Sequence, residues 1–465
     1  MFRAAGLALT VLAGWAGAPG RGDAQAADAG AIFDVRARIN PHLGLAFPGA
    51  ETRYYDYLVD AGMGVVRINA EWKYLEPQSG RFVFRGLDRR IEAIQSRGMT
   101  AFVTFVSNAD WATTESTQHL NNATPRDPEL WSRFVRTVAE RYDHDGIDDM
   151  PGLRAPVGYW QAANEFMSPK NKDGGWGGTN DELLAYVNLA HDAVKAASPE
   201  AVFVLGGVSV FTIDVALALN GADIVLQQEH SAGKVQRYGK ADLNSAEVQD
   251  LYQNRFLRVI RESRYDYADV HLYELEERDA ARIALMRQLS GRPVLSSECG
   301  GPALTYGGSY TGHRHYVAVI ERNLNALAAG APFCLWYGLG EREPPGSYMN
   351  ARAQLYDLNR RPKPGVMAYR LLSRLLSEGA EIRTLGSGRG YEIRHGPGDS
   401  TLIALDRAAQ AALVAAAPEA ARAICIEDAE RRQARLVPVA AVQGDCGPDA
   451  VVITGARALG LIGAN

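Results

Sequence analysis

The chain has 465 residues, of which 47% are hydrophobic and 22% charged, with a formal net charge of -5. A chain of that length and apolar content can bury a large core without disulfide or metal staples, which excludes intrinsic disorder. A mildly acidic balance leaves no electrostatic footprint for a polyanion, so nucleic acid is not expected as a partner.

Residues 1–26, MFRAAGLALTVLAGWAGAPGRGDAQA, begin with one early Arg and an apolar run from Ala4 to about Ala18, then reach the small-residue pattern Ala24-Gln25-Ala26. This is the layout of a secretory signal peptide, and the run is short for a transmembrane span. An uncleaved anchor is the competing reading. The expectation is a secreted or periplasmic protein with no stable membrane insertion.

From about residue 40 to 340, eight short apolar runs follow one another: HLGLAF, VVRINAEW, TAFVTFVS, VGYWQAANE, VFVLGGVS, ADVHLYE, PVLSSECG and FCLWYGLG. Between them lie stretches with apolar residues at three- and four-residue spacing, among them RRIEAIQSRG, PELWSRFVRTVAERY, DELLAYVNLAHDAVKAA and QNRFLRVIRESR. Strand-like runs alternating with helical patterns at this length predict a (β/α)8 TIM barrel over residues 27–378. A doubly wound sheet would carry a glycine fingerprint after its first strand, and none is present. GSGRG at Gly386–Gly390 reads as a hairpin turn.

After the eighth run, RPKPGVMAYRLLSRLLSEG predicts a final helix, and from about Glu381 short β-like pieces take over: YEIRH, STLIALD, ARAICIED, ARLVPVA and AVVITG. Residues 379–465 are therefore expected to form a small C-terminal β-sandwich domain. Of the four cysteines, Cys425 and Cys446 fall in this region and are the expected pair if a bond forms after export. Cys299 and Cys334 sit in apolar runs and are expected as buried thiols. No CxxC or HExxH spacing occurs, so neither metal nor other cofactor is indicated.

In a TIM barrel the chemistry lies at the C-terminal ends of the strands. There the second run offers Arg67 and Asn69, the fourth Asn164 and Glu165, the sixth His271 and Tyr273, the seventh Glu298 and the eighth Trp336. Glu165 and Glu298 end runs on opposite sides of the barrel, so their side chains can approach across its mouth. Two carboxylates facing one cleft are what glycosidic bond cleavage requires. Either Glu alone could equally be an exposed strand cap.

The chain resembles a clan A glycoside hydrolase, most like family 39 and related exopolysaccharide hydrolases. WQAANE matches the Asn-Glu pair that ends strand 4 in that clan, and VLSSECG the Glu that ends strand 7. GMGVVRINAEWKYLEPQSGRFVFRGLD is similar to the strand 2 segment, NADWA to the segment after strand 3, and DVHLYE to strand 6 with its His and Tyr.

The resemblance implies a retaining hydrolase of O-glycosidic bonds, acting on a β-linked poly- or oligosaccharide. Glu298 would be the nucleophile and Glu165 the acid/base, its pKa raised by the charge on Glu298. Asn164 would bind the sugar 2-hydroxyl, Arg67 would keep Glu298 ionised, Tyr273 would donate to Glu298, and His271 would line the pocket. Trp336, Trp111 and Trp176 are candidates for stacking on sugar rings, Trp336 foremost, whereas Trp72 and Trp131 are assigned to packing. The loop SPKNKDGGWGGTND is suited to shaping a cleft or is a functionless insert. The alternative reading is a catalytically inactive barrel that binds polysaccharide during export or assembly.

Overall fold

The computed structural model describes residues 28–231, 234–301, 312–340, 353–386 and 389–463. The expected signal peptide of residues 1–26 lies outside them. Among the described residues no helix is long and apolar enough to cross a membrane.

Eight parallel strands form the barrel: β1 (Asn40–Ala46), β2 (Met63–Glu71), β3 (Thr100–Val106), β4 (Tyr159–Ala162), β5 (Val202–Leu205), β6 (Ala268–Asp269), β7 (Val294–Cys299) and β8 (Cys334–Trp336). They are ordered β5-β4-β3-β2-β1-β8-β7-β6. Parallel bridges Val204 to Tyr267 and Val208 to Val270 close β5 on β6. All eight apolar runs thus became barrel strands. They read as continuous apolar runs because helices cover the sheet outside and side chains fill it inside.

The inward residues form layers set by the two-residue period of a strand. Ala46, Val65, Phe102, Val204, Leu295 and Phe333 make an apolar plug. Two residues beyond Val65, Phe102 and Leu295, and beyond Tyr159 and Tyr267 packed on the plug, Arg67, Thr104, Ser297, Gln161 and Asp269 make a wholly buried polar layer. Gly44 permits this packing, since a Cβ there would come within 2.3 Å of the Val65 carbonyl oxygen.

Helices Arg85–Gln95, Pro128–Glu140, Asn180–Ala197, Val210–Leu219, Asp279–Ser290, Gly312–Ala328 and Pro364–Leu375 surround the barrel. Local chemistry starts several of them. Asp127 accepts from the Glu129 N–H ahead of Pro128, and Thr179 with Glu182 forms a capping box. An antiparallel hairpin, Leu226–Ser231 with Lys234–Tyr238, follows Val210–Leu219. The sequence reading placed no element there, because QQEH and KVQRYGK lack an apolar alternation.

The C-terminal β unit is one six-stranded antiparallel sheet: β9 (Glu381–Thr384), β10 (Gly390–Gly396), β11 (Asp399–Ala404), β12 (Arg422–Asp428), β13 (Gln433–Pro438) and β14 (Val451–Thr454). Their order is β9-β10-β11-β14-β12-β13. Both faces are buried. Ile403, Ile424, Ile426 and Ile453 join the core shared with the barrel, while Leu402, Ala404, Ala423 and Val452 cluster with Ala409 and Leu413 of the helix Arg407–Ala416. β9 and β10 pair antiparallel up to Thr384 and Tyr391, as a hairpin requires; Ser387 and Gly388 at its tip are outside the described residues.

Cys425 and Cys446 are bonded to each other, as expected. The expectation of free buried thiols at Cys299 and Cys334 is corrected: they form a disulfide with S–S 2.02 Å. β7 and β8 are neighbours in the barrel, which brings the two Cα atoms to 6.0 Å, inside the range a disulfide spans. Two apolar runs that are distant in sequence give no sign of that adjacency.

Candidate active site

Arg67 organises the mouth of the barrel. It is wholly buried, and its five N–H donors meet five acceptors. Nε donates to Thr104 Oγ1 at 2.9 Å, Nη1 to the Ser297 carbonyl at 3.4 Å and Glu298 Oε2 at 3.1 Å, and Nη2 to Gln161 Oε1 at 2.6 Å and Asn164 Oδ1 at 3.0 Å. The Phe47 ring lies 4.6 Å from the guanidinium carbon. A buried cation survives only when it is paired and hydrogen-bonded throughout, and Arg67 meets that condition.

Glu298 stands at the end of β7, where the pairing register with β8 shifts. Such a bulge re-aims a side chain, and here Glu298 follows the inward Ser297 directly yet also faces the barrel mouth. Its Oε2 accepts from Arg67, and its Oε1 accepts from the Tyr273 hydroxyl at 2.7 Å. The side chain is 15% exposed, so one edge opens to the cleft.

Glu165 reaches the same mouth from the tip of β4 through left-handed backbone, with φ of 71° at Ala163 and 44° at Glu165. Non-glycine residues adopt that conformation rarely, and it clusters at functional sites. Oε1 lies 2.9 Å from His271 Nδ1, and Oε2 accepts from Asn171 Nδ2 at 2.9 Å. One ligand atom from each of Glu165, His271 and Glu298 lies within 4.8 Å of the others. That spacing could surround a cation, but Arg67, Tyr273, Asn171 and His271 already engage the four carboxylate oxygens.

The electrostatics differ from the sequence expectation. Burial pushes the Glu165 carboxyl up, but the His271 hydrogen bond and charge, the Asn171 amide and the Arg67 charge outweigh it, and the group is held below the usual carboxylate range. Glu298 does not lift it toward neutrality in the resting site, because the imidazole is closer. His271 moves the other way. Burial pushes it down, yet the charges of Glu298, Glu165 and Asp269 more than offset this and raise it. Burial and the Glu298 charge push the Tyr273 hydroxyl far up, which keeps it a donor.

Asn164 is fixed by Arg67 at Oδ1, while its Nδ2 makes a 3.4 Å contact with the Asp173 carbonyl. Arg67, Asn164, Tyr273 and Glu298 therefore form one hydrogen-bonded set and Glu165 with His271 a second; Glu165, His271 and Glu298 approach within 4.8 Å, with His271 against bare backbone at Gly207. A Cβ on Gly207 would sit 1.9 Å from His271 Nε2.

The tryptophans do not join this cluster. Trp336 is corrected as a sugar platform: it is fully buried, donates Nε1 to the Ala353 carbonyl at 2.8 Å, and packs against His315 and Tyr369 in the helix layer. Strand alternation turns Trp336 outward and leaves the half-buried Tyr337 beside Phe47 at 6.2 Å. Trp176 is buried on Tyr186 with Nε1 on the Thr179 carbonyl. Trp111 is half-buried, edge-on to Trp72, and donates to the Glu76 carbonyl. Trp72 and Trp131 are core residues.

Sequence reasoning missed Gln161, Asp269, Thr104 and Ser297, which tie Arg67 and the strands together beneath the carboxylates. Gln161 Nε2 donates to Asp269 Oδ2 at 2.7 Å, and the Ser297 N–H donates to Asp269 Oδ1 at 2.9 Å. A polar residue at an inward position of an apolar run was the available signal. Asn171, in the glycine-rich loop, and Tyr337 had none. Beside the cluster a cavity of about 310 Å³ is lined by Phe47, Tyr54, Tyr337, Leu339, Gln354 and Arg360 among others.

No family model and no curated protein matches the sequence. Solved structures do match. A family 39 glycoside hydrolase from the gut symbiont Bacteroides cellulosilyticus WH2 is similar at 13% identity and TM-score 0.56, over 92% of this chain and 80% of that one. A GH39 β-xylosidase from Caulobacter crescentus is similar at 12% identity and TM-score 0.54, over 90% of this chain and 97% of that one. A glucosidase from Croceicoccus marinus is similar at 13% identity and TM-score 0.51, over 79% and 75% respectively. At these identities the likeness establishes the fold, which the chain shares with family 39 and other clan A glycoside hydrolases.

Proposed function

We propose that the chain is an exported retaining glycoside hydrolase that cleaves β-linked O-glycosidic bonds of a poly- or oligosaccharide. The observation that carries this reading is the pair Glu165 and Glu298, reaching across one barrel mouth to within 4.8 Å. Retaining enzymes hold their carboxyl groups about 5–5.5 Å apart, and inverting enzymes about 6.5–9.5 Å.

Arg67 and Tyr273 donate to the two carboxylate oxygens of Glu298 and orient it. Glu298 attacks the anomeric carbon as the bond to the leaving oxygen breaks and Glu165 gives that oxygen a proton. Water then attacks the glycosyl ester, Glu165 takes its proton, and Glu298 leaves as carboxylate. In the resting site one proton is shared by His271 and Glu165 and favours the imidazole. Sugar entry expels water, and in the drier site the neutral pair replaces the ion pair, which moves the proton onto Glu165. Asn164, held at Oδ1 by Arg67, turns its amide N–H toward the sugar 2-hydroxyl.

A panel of β-linked oligosaccharides digested with the enzyme and with Glu298→Gln tests the reading. The variant is expected to lose hydrolysis by about 10⁴-fold or more. Proton NMR of the first-formed product is expected to give the starting anomer; the opposite anomer would overturn the retaining route. Replacing Glu165 should slow natural glycans by about 10²–10⁴-fold and aryl glycosides with good leaving groups far less. Glycan binding without turnover across the panel would favour the polysaccharide-holding barrel instead.

A further inference from the structure

The hydroxyl of Tyr273 meets Glu298 only if the end of β6 is held in place, and the chain there is unusual. Directly after Tyr273, Glu274 and Leu275 both have positive φ, 55° and 29°. Side-chain-bearing residues keep such backbone only where their surroundings over-determine it.

Two buried arginines do so. Arg282, wholly buried, directs Nη1 at three consecutive carbonyl oxygens, those of Tyr273 at 2.8 Å, Glu274 at 3.1 Å and Leu275 at 3.4 Å. Its other nitrogens are held by Asp214 at 2.7 and 2.9 Å. Arg322, also wholly buried, donates to the Glu274 carbonyl at 3.1 and 3.2 Å and to Asp279 at 2.7 Å. Asp279 accepts from Arg282 as well, at 3.1 Å.

The clamp extends into the C-terminal sheet. Arg322 lies on the helix Gly312–Ala328 between Glu321 and Asn325. Glu321 takes both ends of the Arg389 guanidinium. Asn325 donates to the Glu276 carbonyl at 2.8 Å and accepts the Tyr391 hydroxyl at 2.7 Å. Two routes therefore run from the C-terminal sheet through one barrel helix: Tyr391 and Asn325 reach the Glu276 carbonyl, three residues past Tyr273, and Arg389 holds Glu321, the helix neighbour of the Arg322 that binds the Glu274 carbonyl.

We infer that Arg282 and Arg322 are positioning residues for the nucleophile, acting through the Tyr273 backbone, and that Arg389 and Tyr391 make the C-terminal sheet a working part of the same clamp. This rests on the reading of Glu298 as the nucleophile. The sheet's role is then to brace the catalytic mouth from the far side of the helix layer.

The test reads the titration of Glu298 directly, by carboxyl ¹³C NMR assigned with Glu298→Gln, so it requires no turnover. Among the described residues, Arg67 from β2, Glu165 just beyond β4, and His271 and Tyr273 just beyond β6 are charged and titratable groups that face this carboxylate. Tyr273→Phe should raise its midpoint by about 1 pH unit, the effect of losing one hydrogen bond to a charged group. Arg282→Lys keeps the charge beside Asp214 but cannot span three carbonyls; Tyr391→Phe removes a single oxygen remote from the site and is the variant that should fold without difficulty. Each should raise the midpoint by about half as much, and neither should add to the shift in a Tyr273→Phe background. A folded Tyr391→Phe with an unmoved midpoint, or shifts that add fully to that of Tyr273→Phe, would overturn the clamp. Undiminished hydrolysis by Glu298→Gln would instead overturn the catalytic reading, so the two failures are distinguishable.

Discussion

His271 Nδ1 stands 2.9 Å from Glu165 Oε1 while its Nε2 stands 3.9 Å from Asp269 Oδ2, so one buried imidazole lies between two acidic groups. The arrangement raises the proton affinity of the ring and lowers that of Glu165. It makes stability depend on pH from both sides.

Glu165 is held below its ordinary value of 4.5, so its contribution is present above pH 4.5 and is lost as pH falls through the folded value. His271 is raised above its ordinary 6.5, so its contribution is complete below pH 6.5 and is lost as pH rises through the folded value. Both are complete between pH 4.5 and 6.5. Denaturant unfolding of the native chain and of His271→Asn should therefore differ most in that window, by about 2 kcal/mol, and converge on either side. A difference that stays constant from pH 3 to 9 would refute the ion pair.

Gly207 leaves the space that the imidazole occupies. Gly207→Ala would put a Cβ 1.9 Å from His271 Nε2, so the ring must move off Glu165. The expected cost is about 1–3 kcal/mol in stability. Activity should fall together with the His271 titration shift, which imidazole NMR reads; a variant with native His271 titration would contradict the packing.

Tyr337 and Trp336 should separate cleanly. Trp336→Phe opens a gap beside His315 and Tyr369 and is expected to lower the melting temperature while leaving kcat/KM within about threefold. Tyr337 lines the cavity beside the carboxylates, and on the proposed function we assign it the sugar contact expected of Trp336; Tyr337→Ala should spare the melting temperature and lower kcat/KM by about 10–100-fold. The reverse pattern would return the platform role to Trp336.

The bond between Cys299 and Cys334 adjoins Glu298 and closes a separation of 35 residues. A closed loop of that size contributes about 4 kcal/mol in the chain-entropy account. The variant carrying Cys299→Ser and Cys334→Ser should lose about that much stability on chemical unfolding. Alkylation in denaturant without reductant should leave both cysteines of the native chain unlabelled, and labelling of both would disprove the pairing.

Much of this was legible in the residues. Eight apolar runs separated by helical patterns imply a barrel because a strand buried on both faces cannot alternate, and Glu165 and Glu298 stood out as carboxylates at the tips of such runs. The polar layer was visible in outline: Gln161 and Asp269 interrupt runs that are otherwise apolar. The hairpin at Leu226–Tyr238 and the cysteine bridge from β7 to β8 were not legible, since both depend on which surfaces the closed barrel brings side by side.

The sequence by itself determined the kind of barrel, the two carboxylates and the residue types around them, because strand period and burial act locally and leave a pattern. Only the tertiary structure decided which way each tip points and which groups share a proton. A bulge in β7 and left-handed backbone at Ala163, Glu165, Glu274 and Leu275 break the period from which such directions would be read. The balance of charge at Glu165 likewise depends on His271, 106 positions away in the chain and 2.9 Å away in space.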